Sequence, residues 1–256
     1  MESKNSIDIN ADLGEFRNEI QLSNELEILK YISSCSVACG GHIGTNKSVR
    51  LILEECRKCG VAIGPHPSYP DREGFGRRKM DISLKDLDKS LRKQIQYFFE
   101  IANSLSMPVR HIKLHGTLYN ETARQEKLIN LLLNIVDSIE DKISIIGPTN
   151  SLLEKIVSNT NIPFISEAFV DRRYREDYGL VDRSQDGAFL VPLKEQISQA
   201  RNIVINQVVT TENGLQIDIN ADTLCIHGDN PNSLKLVKEI TDMLKKENIK
   251  VQTYSS

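Results

Sequence analysis

The chain has 256 residues, of which 39% are hydrophobic and 26% are charged, and its formal net charge is −3. This length and balance suit a globular protein with a sizeable core and give no sign of a nucleic-acid or membrane-surface partner. The N-terminus shows no apolar signal segment, and no apolar run approaches the roughly 20 residues that cross a bilayer, so we expect a cytoplasmic protein.

Short apolar runs alternate with helical stretches along the chain. The predicted strands cover residues 7–12, 36–39, 61–65, 109–115, 143–147, 164–168 and 223–227. Strand–helix alternation of this regularity is typical of a parallel α/β architecture. Because no linker rich in Gly, Ser or Pro interrupts it, we predict a single domain over residues 1–256.

Apolar residues spaced three and four apart predict a long amphipathic helix over residues 83–104. Capping patterns that begin at Ser83, Thr122 and Ser151 each predict the start of a helix, and a last helix is expected after Pro231. A charged loop is expected over residues 171–187. The Glu-Asn-Gly stretch at 212–214 predicts a hairpin tip.

Several predicted strands are apolar on one face only. In the first, Ile7, Ile9 and Ala11 share one face, whereas the opposite face carries Asp8, Asn10 and Asp12. The strands at 109–115 and 223–227 alternate in the same way. An apolar face beneath helices and a polar face opposite favour a (β/α) barrel with a polar lumen, although such barrels usually fill the lumen with branched apolar residues.

Ionisable residues fall at the carboxyl ends of these strands, where α/β enzymes place their sites. These are Asp12, His42, His66, His115 and His227, with Glu167 and Asp171 flanking the end of the sixth strand. Either a His/carboxylate metal site that activates water or metal-free acid–base catalysis would use such a set. No close-spaced ligand motif decides between them, and the balance leans slightly against a tightly bound metal.

Basic side chains accompany the same strand ends. Arg77, Arg172 and Arg183 lie in the following loops, and one or two of them are expected to hold an anionic substrate. The turn that contains His227 and Asp229 leads into the last predicted helix, whose N-terminus suits an anion. Lys113 is predicted to point inward, where it either polarises a carbonyl or forms a buried ion pair.

The sequence lacks the motifs of two common kinds of site, a cysteine zinc site and a nucleotide-binding loop. The Cys56–Cys59 spacing has no second pair to complete a zinc site, so we interpret both cysteines as members of an apolar helix face with Val49 and Ile52. Phosphate-binding loops of the GxxxxGK[ST] and strand–GxGxxG–helix types are missing from the sequence. We therefore predict no nucleotide site of a known type in this chain.

Eight ordered motifs carry a resemblance to a known family. They read DINADLGE at 8–15, ACGGHIG at 38–44, IGPHPSYPD at 63–71, GFGRR at 74–78, HIKLHGTLYN at 111–120, DRRY at 171–174, VDRSQ at 181–185 and CIHGDNP at 225–231. Together they span nearly the whole chain, which resembles the LamB/YcsF family. Gly41, Thr45 and Leu114 stand where the family pattern usually has Phe, Asp and Pro.

The resemblance implies a seven-stranded TIM-like barrel related to the glycoside hydrolase/deacetylase fold. It implies ATP-dependent hydrolysis of 5-oxoproline to glutamate with B and C partner subunits, with ATP bound by or with those partners. The sequence does not decide whether the chain also forms a homo-oligomer. The alternatives are a metal-dependent deacetylase or amidohydrolase and a non-catalytic, substrate-binding subunit.

Within the matched motifs we assign two sets of candidate residues. The catalytic candidates are Asp12, His42, His66, Lys113 and His115. The substrate-binding candidates are Glu15, Arg77, Glu167, Asp171, Arg172, Arg183, His227 and Asp229.

Overall fold

A computed structural model describes residues 4–228 and 232–254 and contains the predicted strand–helix alternation. The strands are β1 (Ser6–Leu13), β2 (Ser34–Ala38), β3 (Ala62–His66), β4 (His111–Lys113), β5 (Ser144–Pro148), β6 (Phe164–Phe169), β7 (Val208–Thr210), β8 (Gln216–Asp218), β9 (Thr223–His227) and β10 (Lys250–Val251). The helices are α1 (Glu19–Ile28), α2 (Asn46–Cys59), α3 (Leu84–Ser104), α4 (Gly116–Thr122), α5 (Glu126–Asp137), α6 (Leu152–Val157), α7 (Leu193–Arg201) and α8 (Ser233–Lys246), with a π-helical turn at Asn202–Asn206.

Seven parallel strands form a barrel. The hydrogen-bonded order is β3-β2-β1-β9-β6-β5-β4. A parallel bridge between Ile63 and Val109, with the Arg110 amide donating to the Ile63 carbonyl at 2.9 Å, joins β3 to the start of β4. The predicted seven-stranded TIM-like barrel is confirmed, and each predicted barrel strand is found with small shifts at its ends.

Local sequence explains most helix starts. The Ser83 side chain accepts the Asp86 amide hydrogen at the start of α3, and Ser151 caps α6 in the same way through Glu154. The prediction at Thr122 is wrong, because this residue ends α4 while Gln125 takes the N-cap position of α5 without a side-chain cap. The Thr122–Gln125 spacing resembles the capping patterns at Ser83 and Ser151. Thr122 is nevertheless the last residue of the short helix α4, so it does not begin a new helix.

The remaining elements lie around the barrel. The predicted hairpin is present as the antiparallel pair β7–β8, and α8 follows the predicted position, although Asp229 and Pro231 lie outside the described residues. The cysteine interpretation is half wrong. Cys56 is buried, with its Sγ 3.3 Å from the Cys35 Sγ, whereas Cys59 is exposed at the end of α2. In residues 4–228 and 232–254, no helix is long and apolar enough to cross a membrane.

The lumen is polar along its length. At the amino-terminal end, the Asp8 carboxylate accepts hydrogen bonds from Ser33 (2.6 Å), Ser34 (2.7 Å) and Thr223 (2.5 Å). Asn10, two residues further along β1, donates to Thr223 at 2.8 Å. The alternation in β1 therefore places three polar side chains inside the barrel and Ile7, Ile9 and Ala11 in the apolar layer under the helices.

Candidate active site

A cavity of about 380 Å³ opens at the carboxyl end of the barrel. Its walls combine strand-end side chains with the loops after β3, β4 and β6. Eight predicted residues line it: Asp12, His66, Arg77, Lys113, His115, Arg172, Arg183 and His227. Parallel strands bring their carboxyl ends to one rim, so residues more than 200 positions apart in sequence meet here.

The Lys113 ammonium lies at the floor of the cavity. Its Nζ is 2.9 Å from Asp12 Oδ1, 2.6 Å from Glu167 Oε1, 3.0 Å from Asn10 Oδ1 and 3.2 Å from Cys225 Sγ. Burial opposes the charge, but the attraction of Asp12 and the other neighbours outweighs it and raises the pKa of Lys113 well above its usual value. Lys113 is therefore a fixed cation and not a proton acceptor.

Glu167 is saturated by its neighbours. Besides Lys113 it accepts the Asn10 amide at 2.9 Å and the Tyr119 hydroxyl at 2.5 Å. It does not line the main cavity but borders a smaller neighbouring pocket of about 210 Å³. Its geometry is that of a counter-ion for Lys113, and its predicted contact with substrate stays a prediction.

Three histidines, His42, His66 and His115, form a buried histidine cluster beside Asp12. His115 Nδ1 is 3.0 Å from His66 Nε2, and the His42 ring stacks on the His115 ring at 3.7 Å. Glu15 lies behind them, 2.8 Å from His42 Nε2, so neither Glu15 nor His42 reaches the cavity wall.

The pKa values of Asp12, His115 and His42 are all lowered, but for different reasons. Burial alone would raise the pKa of Asp12, but His66 and Lys113 outweigh it and hold that pKa well below its usual value. Burial, reinforced by His42 and His66, lowers the pKa of His115 well below its usual value, so this ring is neutral. Burial also lowers the pKa of His42, against the opposing attraction of Glu15.

A second imidazole–carboxylate pair, His227 and Asp171, lies near Asp12, with a His227 ring nitrogen within 4.8 Å of an Asp12 carboxylate oxygen. His227 Nδ1 is 3.0 Å and 3.1 Å from the two oxygens of Asp171, and its Nε2 is 2.8 Å from Arg183 Nη2. An arginine only donates, so Nε2 carries the lone pair and Nδ1 the hydrogen. Because both ring nitrogens are engaged, the His227 side chain is oriented between Asp171 and Arg183.

The three arginines Arg77, Arg172 and Arg183 form an arginine wall of the cavity. Arg172 is buried, donates to the Val181 carbonyl at 2.6 Å and stacks on Phe189. Burial, with the repulsion of Arg183, lowers the pKa of Arg172 to about 10, which leaves it charged at neutral pH. This wall suits a small anion such as a carboxylate.

Some residues that shape the site were missed by sequence reasoning. The Glu25 carboxylate on α1 accepts the Gly14 amide at 2.7 Å and the Glu15 amide at 3.1 Å, which fixes the loop after β1. Gln94 on α3 bonds both the amide and the carbonyl of Ser68 and fills the space that a side chain at Gly41 would need. Only contacts between distant segments identify these residues. Tyr119 has a sequence signal, because it lies in the HIKLHGTLYN motif at 111–120.

Among the residues that the structure describes, two sets of side chains have ligand atoms close enough to suggest a metal ion: Asp12, Cys225 and His227, and Glu15, His42 and His115. In the first, Lys113 already bonds Asp12 and Cys225, so its ammonium takes the place of a cation. In the second, the two rings are parallel within 4°, so their in-plane lone pairs do not converge on one ion. Neither arrangement fits a divalent metal.

Known proteins resemble this chain over nearly its full length. The A subunit of 5-oxoprolinase from Campylobacter jejuni strain 81-176 is 38% identical over 245 residues, which is 96% of each chain. A protein of the same name from Chloroflexus aggregans is 34% identical over 97% of this chain and 98% of its own.

Solved structures agree with the fold. The lactam utilization protein of Thermus thermophilus has a TM-score of 0.88 at 27% identity and covers 97% of this chain and 100% of its own. A family 4 carbohydrate esterase of Streptomyces lividans, at 10% identity and a TM-score of 0.52 over 98% of this chain and 93% of its own, shares the fold alone. The family model of LamB/YcsF matches residues 7–256. The chain therefore belongs to the LamB/YcsF family.

Proposed function

We propose that the chain is the A subunit of an ATP-dependent 5-oxoprolinase that hydrolyses 5-oxoproline to glutamate together with B and C subunits. The observation that carries the proposal is the near full-length similarity to proteins named as the A subunit of 5-oxoprolinase. A cavity that joins an acid–base cluster to an arginine wall supports it, because 5-oxoproline is a small lactam with one carboxylate. The predicted cytoplasmic location and single domain belong to the same proposal.

The geometry suggests a division of labour within the cavity. The arginine wall binds the substrate carboxylate, with Arg183 oriented through His227 and Asp171. Lys113 places a fixed positive charge beside Asp12 on the floor, where it attracts the negative charge of the phosphoryl group that activates the lactam oxygen. The Asp12–His66–His115 side of the cavity supplies proton transfer to and from water and the ring nitrogen.

ATP enters the proposal through chemistry. A five-membered lactam is a stable amide, and transfer of a phosphoryl group to its oxygen would make the ring carbon a better electrophile. The sequence shows none of the known phosphate-binding loops. We therefore place ATP with the partner subunits and water attack with this chain.

The test is reconstitution with the B and C subunits. We expect glutamate formation and 5-oxoproline-dependent ATP hydrolysis only when all three proteins are present. Hydrolysis of both ATP and 5-oxoproline by the purified chain alone would contradict the proposed division of labour.

A second arm separates catalysis from substrate presentation. Asp12→Asn should lower kcat at least 100-fold in the complex, whereas the exposed-site control Asp242→Asn should retain turnover. Full turnover in Asp12→Asn would favour a non-catalytic binding role instead.

A further inference from the structure

His66 and His115, which both line the cavity, contact each other through ring nitrogens whose protonation follows from their other partners. His66 Nδ1 is 2.9 Å from the Lys113 carbonyl oxygen, and His115 Nε2 is 2.9 Å from the Phe75 carbonyl oxygen. A carbonyl only accepts, so each of these nitrogens carries a hydrogen. The two remaining nitrogens, His66 Nε2 and His115 Nδ1, then face each other at 3.0 Å.

If both rings were neutral, two lone pairs would meet at this distance. That arrangement is repulsive and leaves a buried polar contact without a hydrogen. One additional proton converts it into a short N–H···N hydrogen bond. The pair therefore needs three ring hydrogens, which is one positive charge shared by two imidazoles.

The surroundings compensate this charge. Asp12 Oδ2 lies 3.3 Å from His66 Nε2, and Glu15 Oε1 lies 3.3 Å from His115 Nδ1. The other charged or titratable groups that act on the pair are His42 from the loop after β2, Arg77 from the loop after β3 and His111 on β4. Two carboxylates thus lie beside the pair, and Lys113 is bonded to one of them, Asp12, at 2.9 Å.

The position of the extra proton follows from the environment of His115. Burial and the two neighbouring imidazoles make the protonated form of His115 unfavourable. Both rings have a carboxylate oxygen at 3.3 Å, Asp12 for His66 and Glu15 for His115. The Glu15 oxygen is already bonded to His42 Nε2 at 2.8 Å, so Asp12 is the carboxylate available to compensate a charge on the pair. The proton between the rings therefore belongs to His66.

We propose that His66 is a resident imidazolium that donates to neutral His115, and that this pair is the acid–base group of the cavity. The assignment deepens the proposed lactam hydrolysis and rests on it for its catalytic part. As the C–N bond of the lactam breaks, its electron pair goes to nitrogen, which takes the Nε2 proton of His66. The water that adds its oxygen to the ring carbon gives one proton back to the pair, which restores three ring hydrogens. Ring opening leaves the phosphoryl group on the new carboxyl group as an acyl phosphate, and a second water hydrolyses it to carboxylate and phosphate.

The protonation state can be measured on the full chain without substrate. We expect ¹⁵N NMR of histidine-labelled protein at pH 7 to 8 to show a ring with both nitrogens protonated. The signals of this ring should vanish in His66→Gln. They should persist in the control His227→Asn, because that histidine lies in the other pair.

Several results would overturn the assignment. These are five neutral rings across this pH range, an imidazolium pattern that survives in His66→Gln, or ring signals that change when EDTA removes a stoichiometric divalent ion. If His66→Gln does not fold, His115→Asn serves instead. Its side-chain oxygen lies close to the position of Nδ1, so the doubly protonated ring should remain, and its loss would count against the proposal.

The catalytic part has a separate readout. In the reconstituted complex, His66→Gln should lower kcat by about 10² to 10⁴-fold with little change in KM and remove the alkaline limb of the pH profile. An unchanged pH profile would refute the acid role while leaving the NMR result intact. Failure of 5-oxoproline turnover in the unaltered complex would instead refute the proposed function, so the two failures are distinguishable.

Discussion

Asp8, at the amino-terminal end of the lumen, offers a quantitative test of the polar barrel interior. Burial, only partly offset by hydrogen bonds from Ser33, Thr223 and Ser34, raises the pKa of Asp8 to about 6. An Asp in an unfolded chain has a pKa of about 3.9. Because the folded pKa is the higher one, the folded state binds the proton more tightly and the ionised carboxylate destabilises the fold at neutral pH.

The magnitude follows from linkage. A difference of about 2 pKa units corresponds to about 3 kcal/mol of unfolding free energy, which is present well below pH 4 and is lost as the pH rises through about 6. Between pH 5 and pH 8 the loss is about 1.4 kcal/mol, because half of it has already occurred at pH 5. Asp8→Asn removes the titrating group while keeping its shape.

The assay is urea denaturation of both proteins across this range. We expect the stability of Asp8→Asn relative to the unaltered chain to increase by about 1.4 kcal/mol from pH 5 to pH 8. Any pH-independent cost of the altered hydrogen bonds cancels in this difference. Asp242→Asn, which removes the same charge at an exposed position, controls for net charge. A relative stability that stays flat or falls with pH would refute the reasoning.

Three further substitutions test the site and its support. Gly64→Ala should destabilise the fold by about 1–3 kcal/mol or more in urea denaturation, because the new Cβ would lie 2.2 Å from the His111 carbonyl oxygen. Tyr119→Phe should cost about 1–3 kcal/mol in the same assay, since Glu167 loses a 2.5 Å hydrogen bond inside the barrel. Arg183→Ala should raise the KM for 5-oxoproline in the reconstituted complex about tenfold or more, with a smaller effect on kcat, as steady-state kinetics would show.

Each of these three predictions has a result that would contradict it. Unchanged stability of Gly64→Ala would mean that β3 and β4 pack less closely than these distances require. Unchanged stability of Tyr119→Phe would mean that the hydrogen bond from Tyr119 to Glu167, the counter-ion of Lys113, does not stabilise the fold. An unchanged KM in Arg183→Ala would remove the arginine wall from substrate binding.

Much of the site was predictable because barrel topology maps strand ends onto one rim. The alternation of Asp8, Asn10 and Asp12 with apolar neighbours identified the lumen face of β1, and the structure confirms that face. His66 and His115 could be placed at the rim by the same reasoning. Their mutual contact could not, since it joins residues 49 positions apart.

Other features depended on packing between distant segments. Glu167 lies near a strand end like the other candidates. Its carboxylate is nevertheless bonded to Lys113, Asn10 and Tyr119, and it does not line the main cavity. Glu15 was assigned to substrate, but it lies behind the histidine cluster. Asp229 lies outside the described residues, so its predicted role stays a prediction.

The sequence by itself determined the strand–helix alternation, the polar face of the barrel and the family, because periodicity and ordered motifs are written along the chain. The tertiary structure alone decided which groups are engaged and which face the cavity. Two backbone carbonyls, those of Lys113 and Phe75, set the hydrogens on His66 and His115. Such assignments depend on distances between segments that have no signature in sequence spacing, which is why the hydrogen-bond partners of these two histidines could be identified only in the folded barrel.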